Sequence, residues 1–376
     1  MSVSECLLKP FSSEDDVSAT YGRREFLSRS LKVSAGLGLL GAGGGSLLSA
    51  CSSSTKSTVT KPSGGGTKSL GSAALQLSWI ENVEFAGSYV AKSKGHYSAQ
   101  GLDVTLLAGG PSVAVEPLLV AGKALVGKGN TAVSVAAIKN GAPLKIIGAG
   151  FQRNPFALMS LAARPIKTPA DMIGKKIGVQ ADNQSPWNAF LKINGLDASK
   201  IDVVPVQFDP SPLAGGQVDG WFSFFTNEPN VLKAKGIDTY TFLLDSYGYH
   251  LIDNVYMATT ANLADPKKRA QIVALMKGEV LGWQEVLADP SEGTRLTVDV
   301  YGKDLGLSFD EQMLEAKAQN DLVSSPTTQA HGLFWMSDAD QANAAATLAV
   351  AGVKFQPSDV FTNEILQDVF QGKASL

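Results

Sequence analysis

The stretch Gly220-Trp221-Phe222-Ser223-Phe224-Phe225-Thr226-Asn227-Glu228-Pro229 sets four aromatic rings beside an amide and a carboxylate. Rings hold flat ligands by stacking, worth about 0.5–1.5 kcal/mol beyond buried area. An amide and a carboxylate can take hydrogen bonds from ring N–H groups. In a strand, side chains alternate faces, so Trp221, Ser223 and Phe225 share one face, and Phe222 and Phe224 the other. Phe222 and Phe224 are expected in the core, with Trp221, Asn227 and Glu228 at the mouth of a pocket. Thr226 can cap a following helix that starts at Glu228 and Pro229.

Other positions share this chemistry. Trp79, Asn82, Glu84 and Phe85 follow an apolar strand pattern. Gly109 and Gly110 allow close backbone approach. Asn130 and Thr131 open a helix whose amides could face an acceptor. Trp187 stands at another helix start, and Asp245, Tyr247 and Tyr249 near a chain return. Core packing is the alternative for each tryptophan. The set holds carboxylates and indoles without arginine, which suits a flat ring carrying N–H donors.

Catalysis is not indicated. His96, His250 and His331 are far apart and show no metal-ligand spacing. HExxH and GxSxG patterns do not occur. No catalytic residue, metal or cofactor is expected. The formal net charge of −3 suggests no face for nucleic acid.

Elements must position these residues. Strand patterns at 75–79, 102–106, 124–126, 144–149, 157–161, 176–179, 202–206 and 219–225 alternate with helical ones. Helix–glycine–strand joints recur at Gly101 and Gly236, where glycine fits the left-handed position after a helix. Such alternation predicts an α/β fold with parallel sheets. Tyr247–Thr260 reads as a strand, and 267–288, 289–302, 309–322 and 338–351 as helices. We expect lobe 1 over 74–161, lobe 2 over 162–245, and a return to lobe 1 with C-terminal helices over 246–376. Ligands on open α/β sheets sit beyond the carboxyl ends of strands.

The first fifty residues read as export signal. Arg23-Arg24-Glu25-Phe26-Leu27 has a twin-arginine pattern, an apolar glycine-rich run follows, and Leu48-Ser49-Ala50-Cys51 resembles a bacterial lipoprotein box. Cys51 is the expected lipidation site, and residues 51–73 a flexible tether. The GxGxxG match at Gly36–Gly41 lies inside this signal and follows no strand, so it is discounted.

Trp79-Ile80-Glu81-Asn82, Tyr89–Tyr97, Gly101-Leu102-Asp103-Val104, Ile166–Val179, Gln217–Trp221 and Thr226–Pro229 together resemble solute-binding lipoproteins of ABC importers. The branch is the one that binds thiamine pyrimidine precursors and riboflavin, related to sulfonate, taurine and nitrate binders. The resemblance implies a two-lobe periplasmic-binding-protein-like fold of type II, with a hinge and an interlobe ligand cleft. It implies a monomer that captures a small heteroaromatic solute and hands it to ABC permease subunits. It places the protein on the extracytoplasmic side of the cell membrane, anchored through Cys51. A sulfonate, taurine or nitrate cargo is the alternative. Lys128 departs from the family pattern, which often has an apolar or small residue there.

Overall fold

The computed structural model describes residues 68–376. The export signal, Cys51 and most of the tether lie outside the described residues. Gly71–Ala73, expected in the tether, already belong to the first strand.

Among the described residues ten strands form two sheets: β1 (Gly71–Gln76), β2 (Leu102–Leu107), β3 (Val126–Gly129), β4 (Leu144–Phe151), β5 (Phe156–Leu161), β6 (Lys176–Gln180), β7 (Asp202–Val206), β8 (Gly220–Phe224), β9 (Thr239–Leu243) and β10 (Asp253–Thr259). The first sheet runs β2-β1-β3-β10-β4 and the second β7-β6-β8-β5-β9. Each sheet with its helices makes one lobe. The two orders follow one plan. In each sheet two parallel pairs are followed by a strand that runs against both its neighbours: β10 in the first, β5 in the second.

This corrects the expectation of purely parallel sheets. Helix–strand alternation reports right-handed parallel crossovers well. It is silent about the strand that enters a sheet directly from the other lobe, because no crossover helix precedes it. β5 follows β4 after residues 152–155, so the chain changes lobe there rather than at 162. The return runs through 244–252, and β10 is shorter than the strand expected over 247–260.

Helices back both sheets. The longest, Pro266–Ala288, opens with proline at its first position and with Asp265 accepting from the Lys268 N–H at 2.8 Å. It crosses the helix Ala86–Ser93 at Gly87 and Gly282. A Cβ on Gly282 would lie 2.0 Å from the Gly87 carbonyl, and one on Gly87 would lie 2.3 Å from the Trp283 ring. The crossing therefore requires both glycines. Helix Asp338–Val350 sends Ala344 and Leu348 into a core shared with Trp187 and Phe190 of helix Gln184–Ile193. The C-terminal helices thus pack on both lobes.

Overpacked cores lose about 1–3 kcal/mol. Gly282→Val, which forces two backbones apart, is expected to cost about 3 kcal/mol. The check is a urea titration, in which the midpoint falls with the slope unchanged.

Candidate functional site

Between the lobes lies a cavity of about 490 Å³, its open mouth included. Ser78, Trp79, Glu84, Gly129, Asn130, Asp253 and Asn254 line it from the first lobe, and Phe156, Asp182, Asn183, Phe224, Asn227 and Glu228 from the second. A second cavity of about 630 Å³, its open mouth included, shares Ser78, Gly129, Asn130 and Asp182 with it and extends along 112–116, Val133 and Ala181. The lobes meet where the Asp182 N–H donates to the Pro111 carbonyl at 3.3 Å.

Strand ends deliver these residues. Ser78 and Trp79 follow β1, Asn130 follows β3, Asp182 and Asn183 follow β6, and Asn227 and Glu228 follow β8. Phe156 and Asp253 instead begin β5 and β10. An antiparallel strand starts where its parallel neighbours end, so its first residues face the same cleft. Asn254 sits at φ 50, left-handed backbone that asparagine tolerates better than most residues.

Four carboxylates meet in this cavity. Asp253 is the most engaged. Its Oδ1 accepts from the N–H groups of Thr131 (3.0 Å) and Asn254 (2.9 Å), and its Oδ2 from Nδ2 of Asn154 (2.9 Å) and Asn130 (3.4 Å). Glu84 accepts from Asn254 Nδ2 at 2.9 Å. Glu228 accepts from the Phe224 N–H at 2.9 Å. Asp182 Oδ1 and Asn254 Oδ1 are shielded from solvent and have no partner. The site thus offers spare acceptors. Its aromatic walls are Trp79, Phe156 and Phe224, and among the described residues its lining includes no lysine or arginine.

Burial raises all four acids. Glu84 is pushed up to about 8, although the Lys128 ammonium pulls it down. Asp182, Glu228 and Asp253 rise to about 7, with hydrogen bonds to their carboxylates opposing the shift. Among the described residues no three His, Cys, Asp or Glu side chains converge closely enough to hold a metal ion.

Of the residues expected at the site, Trp79, Glu84, Asn130, Asn227 and Glu228 line the cavity. The others lie elsewhere. Trp221 is fully buried among Met159, Leu213, Val218 and Leu232. It is the second residue of β8, too deep to reach the mouth, and the opposite face supplies Phe224 at the strand's end. The predicted alternation is correct, but the face serving the cavity is the one assigned to the core. The Trp221 indole still helps lower the Glu228 acid without reaching hydrogen-bond geometry. Trp187 is core, edge-on to Phe222 at 5.8 Å. Tyr249 is buried behind Phe156.

Asn82 and Phe85 flank Glu84 but point away from the cavity. Asn82 caps the turn Val83–Phe85 and donates to Glu315 Oε1 at 3.0 Å, while Phe85 joins the core. Thr131 binds Asp253 and the Ile252 carbonyl. Gly109 lets the 77–79 backbone pass, since a Cβ there would lie 2.5 Å from the Leu77 carbonyl. Gly110 adopts φ 150 beside it and lies outside the lining. Asp245 pairs with His250 at 2.8 Å, and the Tyr247 hydroxyl donates to the Lys167 carbonyl at 3.2 Å. Thr226 does not cap its helix; Asn227 stands at that position.

Ser78, Gly129, Asp182 and Asn183 were within reach of the strand-end rule. Phe156, Phe224, Asp253 and Asn254 needed the topology.

Acids raised on folding bind protons that the unfolded chain releases near pH 4. Stability from these groups is therefore present below about pH 4 and lost as pH rises through their folded values of 7 to 8. The ligand-free protein is expected to melt several degrees higher at about pH 5 than at about pH 8. Glu84→Gln should flatten the slope; thermal scans across that window provide the check.

Comparison with known proteins places this geometry. The riboflavin-binding protein RibY of Chloroflexus aurantiacus is 25% identical over 340 residues, covering 85% of this chain and 94% of that one. Among solved structures, the alkanesulfonate-binding protein SsuA of Xanthomonas axonopodis pv. citri, bound to MOPS, superposes with a TM-score of 0.54 at 16% identity over 77% of this chain and 98% of its own. The desulfurization enzyme DSZB superposes with 0.51 at 14% identity, over 80% and 99%. These likenesses give the periplasmic-binding-protein fold, which hosts a binder and an enzyme alike. The NMT1/THI5-like family model matches residues 82–293, more than half of the sequence, and the chain belongs to that family.

Proposed function

We propose that this protein is the extracytoplasmic solute-binding component of an ABC importer. Its cargo is a heteroaromatic vitamin or vitamin precursor, a thiamine-type aminopyrimidine or riboflavin. The observation that carries this reading is the acceptor-rich, aromatic-walled cavity between the lobes. Glu84, Glu228, Asp182 and Asn254 offer oxygens, and Trp79, Phe156 and Phe224 offer ring faces. A flat ring with N–H donors satisfies both. The name of the riboflavin-binding relative, which spans nearly the same length, agrees.

The adjoining second cavity supports a ring that carries a side arm. It is edged by Glu116, Asn130 and Asp182, so the arm should bear hydroxyl or amine donors. A sulfonate or nitrate fits poorly, because four acids and no cation line the main cavity. The protein acts by binding and release, with closure of the lobes on solute presented to the permease. Lipidation at Cys51 after twin-arginine export holds it at the membrane.

A calorimetric screen of riboflavin, formylated and hydroxymethyl aminopyrimidines, taurine and nitrate tests the cargo. A heteroaromatic compound is expected to bind; binding of taurine or nitrate alone overturns the reading. Glu228→Gln should weaken the heteroaromatic ligand about tenfold or more, the scale of a lost charged hydrogen bond. Cys51→Ser should move the protein from the membrane to the soluble fraction of its host, read by fractionation and blotting.

A further inference from the structure

Lys128 lies beneath the cavity floor with none of its surface exposed. Strand register sets it opposite Tyr256, where β3 pairs with β10. Its Nζ donates to Tyr256 Oη at 3.3 Å. Three rings surround the ammonium: Tyr256 at 4.6 Å, Phe85 at 5.3 Å and Trp283 at 5.6 Å from their centres. This is an aromatic cage around an internal cation.

Two carboxylates flank the cage. On the core side, Glu279 accepts from the hydroxyls of Tyr256 (2.6 Å), Ser88 (2.9 Å) and Tyr97. On the cavity side stands Glu84. Phe85, a wall of the cage, is its chain neighbour. Asn254, which donates to Glu84, is two residues from Tyr256 along β10. The cage and the cavity floor are therefore built from the same two segments. Burying an ammonium costs several kcal/mol. Glu279 is the stronger of the two carboxylates that favour the ammonium and Glu84 the weaker, so the cation acts on the cavity side as well as on the core side.

We propose that Lys128 is a positioning residue for ligand recognition: a caged cation that keeps Glu84 able to ionise and accept hydrogen bonds from ligand N–H groups. Other groups facing Glu84 push the opposite way. Asp253 from β10, Glu228 from the helix Glu228–Ala234, and Asp182 from the turn Ala181–Asn183 are acids that oppose its ionisation. Glu315 from the helix Phe309–Val323 and Tyr89 from the helix Ala86–Ser93 also face it. Lys128 is the cation of this set. When a ligand donor meets Glu84, the carboxyl loses its proton to solvent and Lys128 supplies the counter-charge.

The recognition half of this inference rests on the proposed cargo; the electrostatic half needs no ligand. The test is carboxyl NMR of ligand-free full-length protein labelled with ¹³C glutamate, with Glu84 identified by Glu84→Gln. In Lys128→Met the Glu84 midpoint should rise by about one pH unit or more, the scale of a neighbouring charge. Lys128→Arg should restore it. A folded Lys128→Met with the wild-type midpoint overturns the proposal. Should that variant fail to fold, the reciprocal measurement decides. In Glu84→Gln the Lys128 midpoint, read by ¹³C-labelled lysine, should fall by a similar amount, and an unmoved midpoint overturns the proposal. If the Glu84 shift is found but no heteroaromatic compound binds, the cargo fails while the coupling stands.

Discussion

Asp253 is the interaction on which the cavity depends. A carboxylate removed from water is costly unless hydrogen bonds replace its hydration. Here the replacements come from Asn154 in the first lobe crossing, Asn130 and Thr131 after β3, and Asn254 beside it. One side chain therefore joins the segment leaving the first lobe to the strand returning to it. It also accepts the first N–H of the helix Thr131–Lys139, at the end where the helix dipole favours an anion. Without that hub, Asn254 would not be held at its left-handed backbone angle, and Glu84 would lose its amide partner.

The two lobes show the same device twice. In each lobe one of the cavity carboxylates has a buried polar group near it: Lys128 near Glu84, and the Trp221 indole near Glu228. Both supports lie in strands and are held by packing, so they cannot swing into the cavity. The acids in front of them stand at a short turn and a helix start, where side chains can be aimed by one or two backbone bonds. Rigid strands supply the field, and strand ends supply the contacts.

The fold alone does not decide what this arrangement is for. A sulfonate binder and a desulfurization enzyme share the same architecture at low identity. The chemistry has to be read from the site. Acceptors outnumber fixed positive charges there, ring faces line the walls, and the space continues past Asp182 into a second cavity. These features favour an uncharged or cationic ring over an anion.

What the sequence determined was local. Alternating apolar runs and helical stretches gave an α/β chain, and strand ends that finish in polar residues pointed to Trp79, Asn130, Asn227 and Glu228. Those signals survive because a parallel strand's end is defined by its own neighbours in the chain. Position along β8 and lobe membership were not local. Trp221 became core and Phe224 cavity because depth in a strand depends on where the sheet ends, not on side-chain alternation. Phe156, Asp253 and Asn254 reached the cleft only because β5 and β10 run against their neighbours, which pairing decides. Lys128 read as a departure from pattern; only the register with Tyr256 and the approach of Trp283 from the helix Pro266–Ala288 made it a caged cation, since burial and charge pairing are properties of residues brought together from distant parts of the chain.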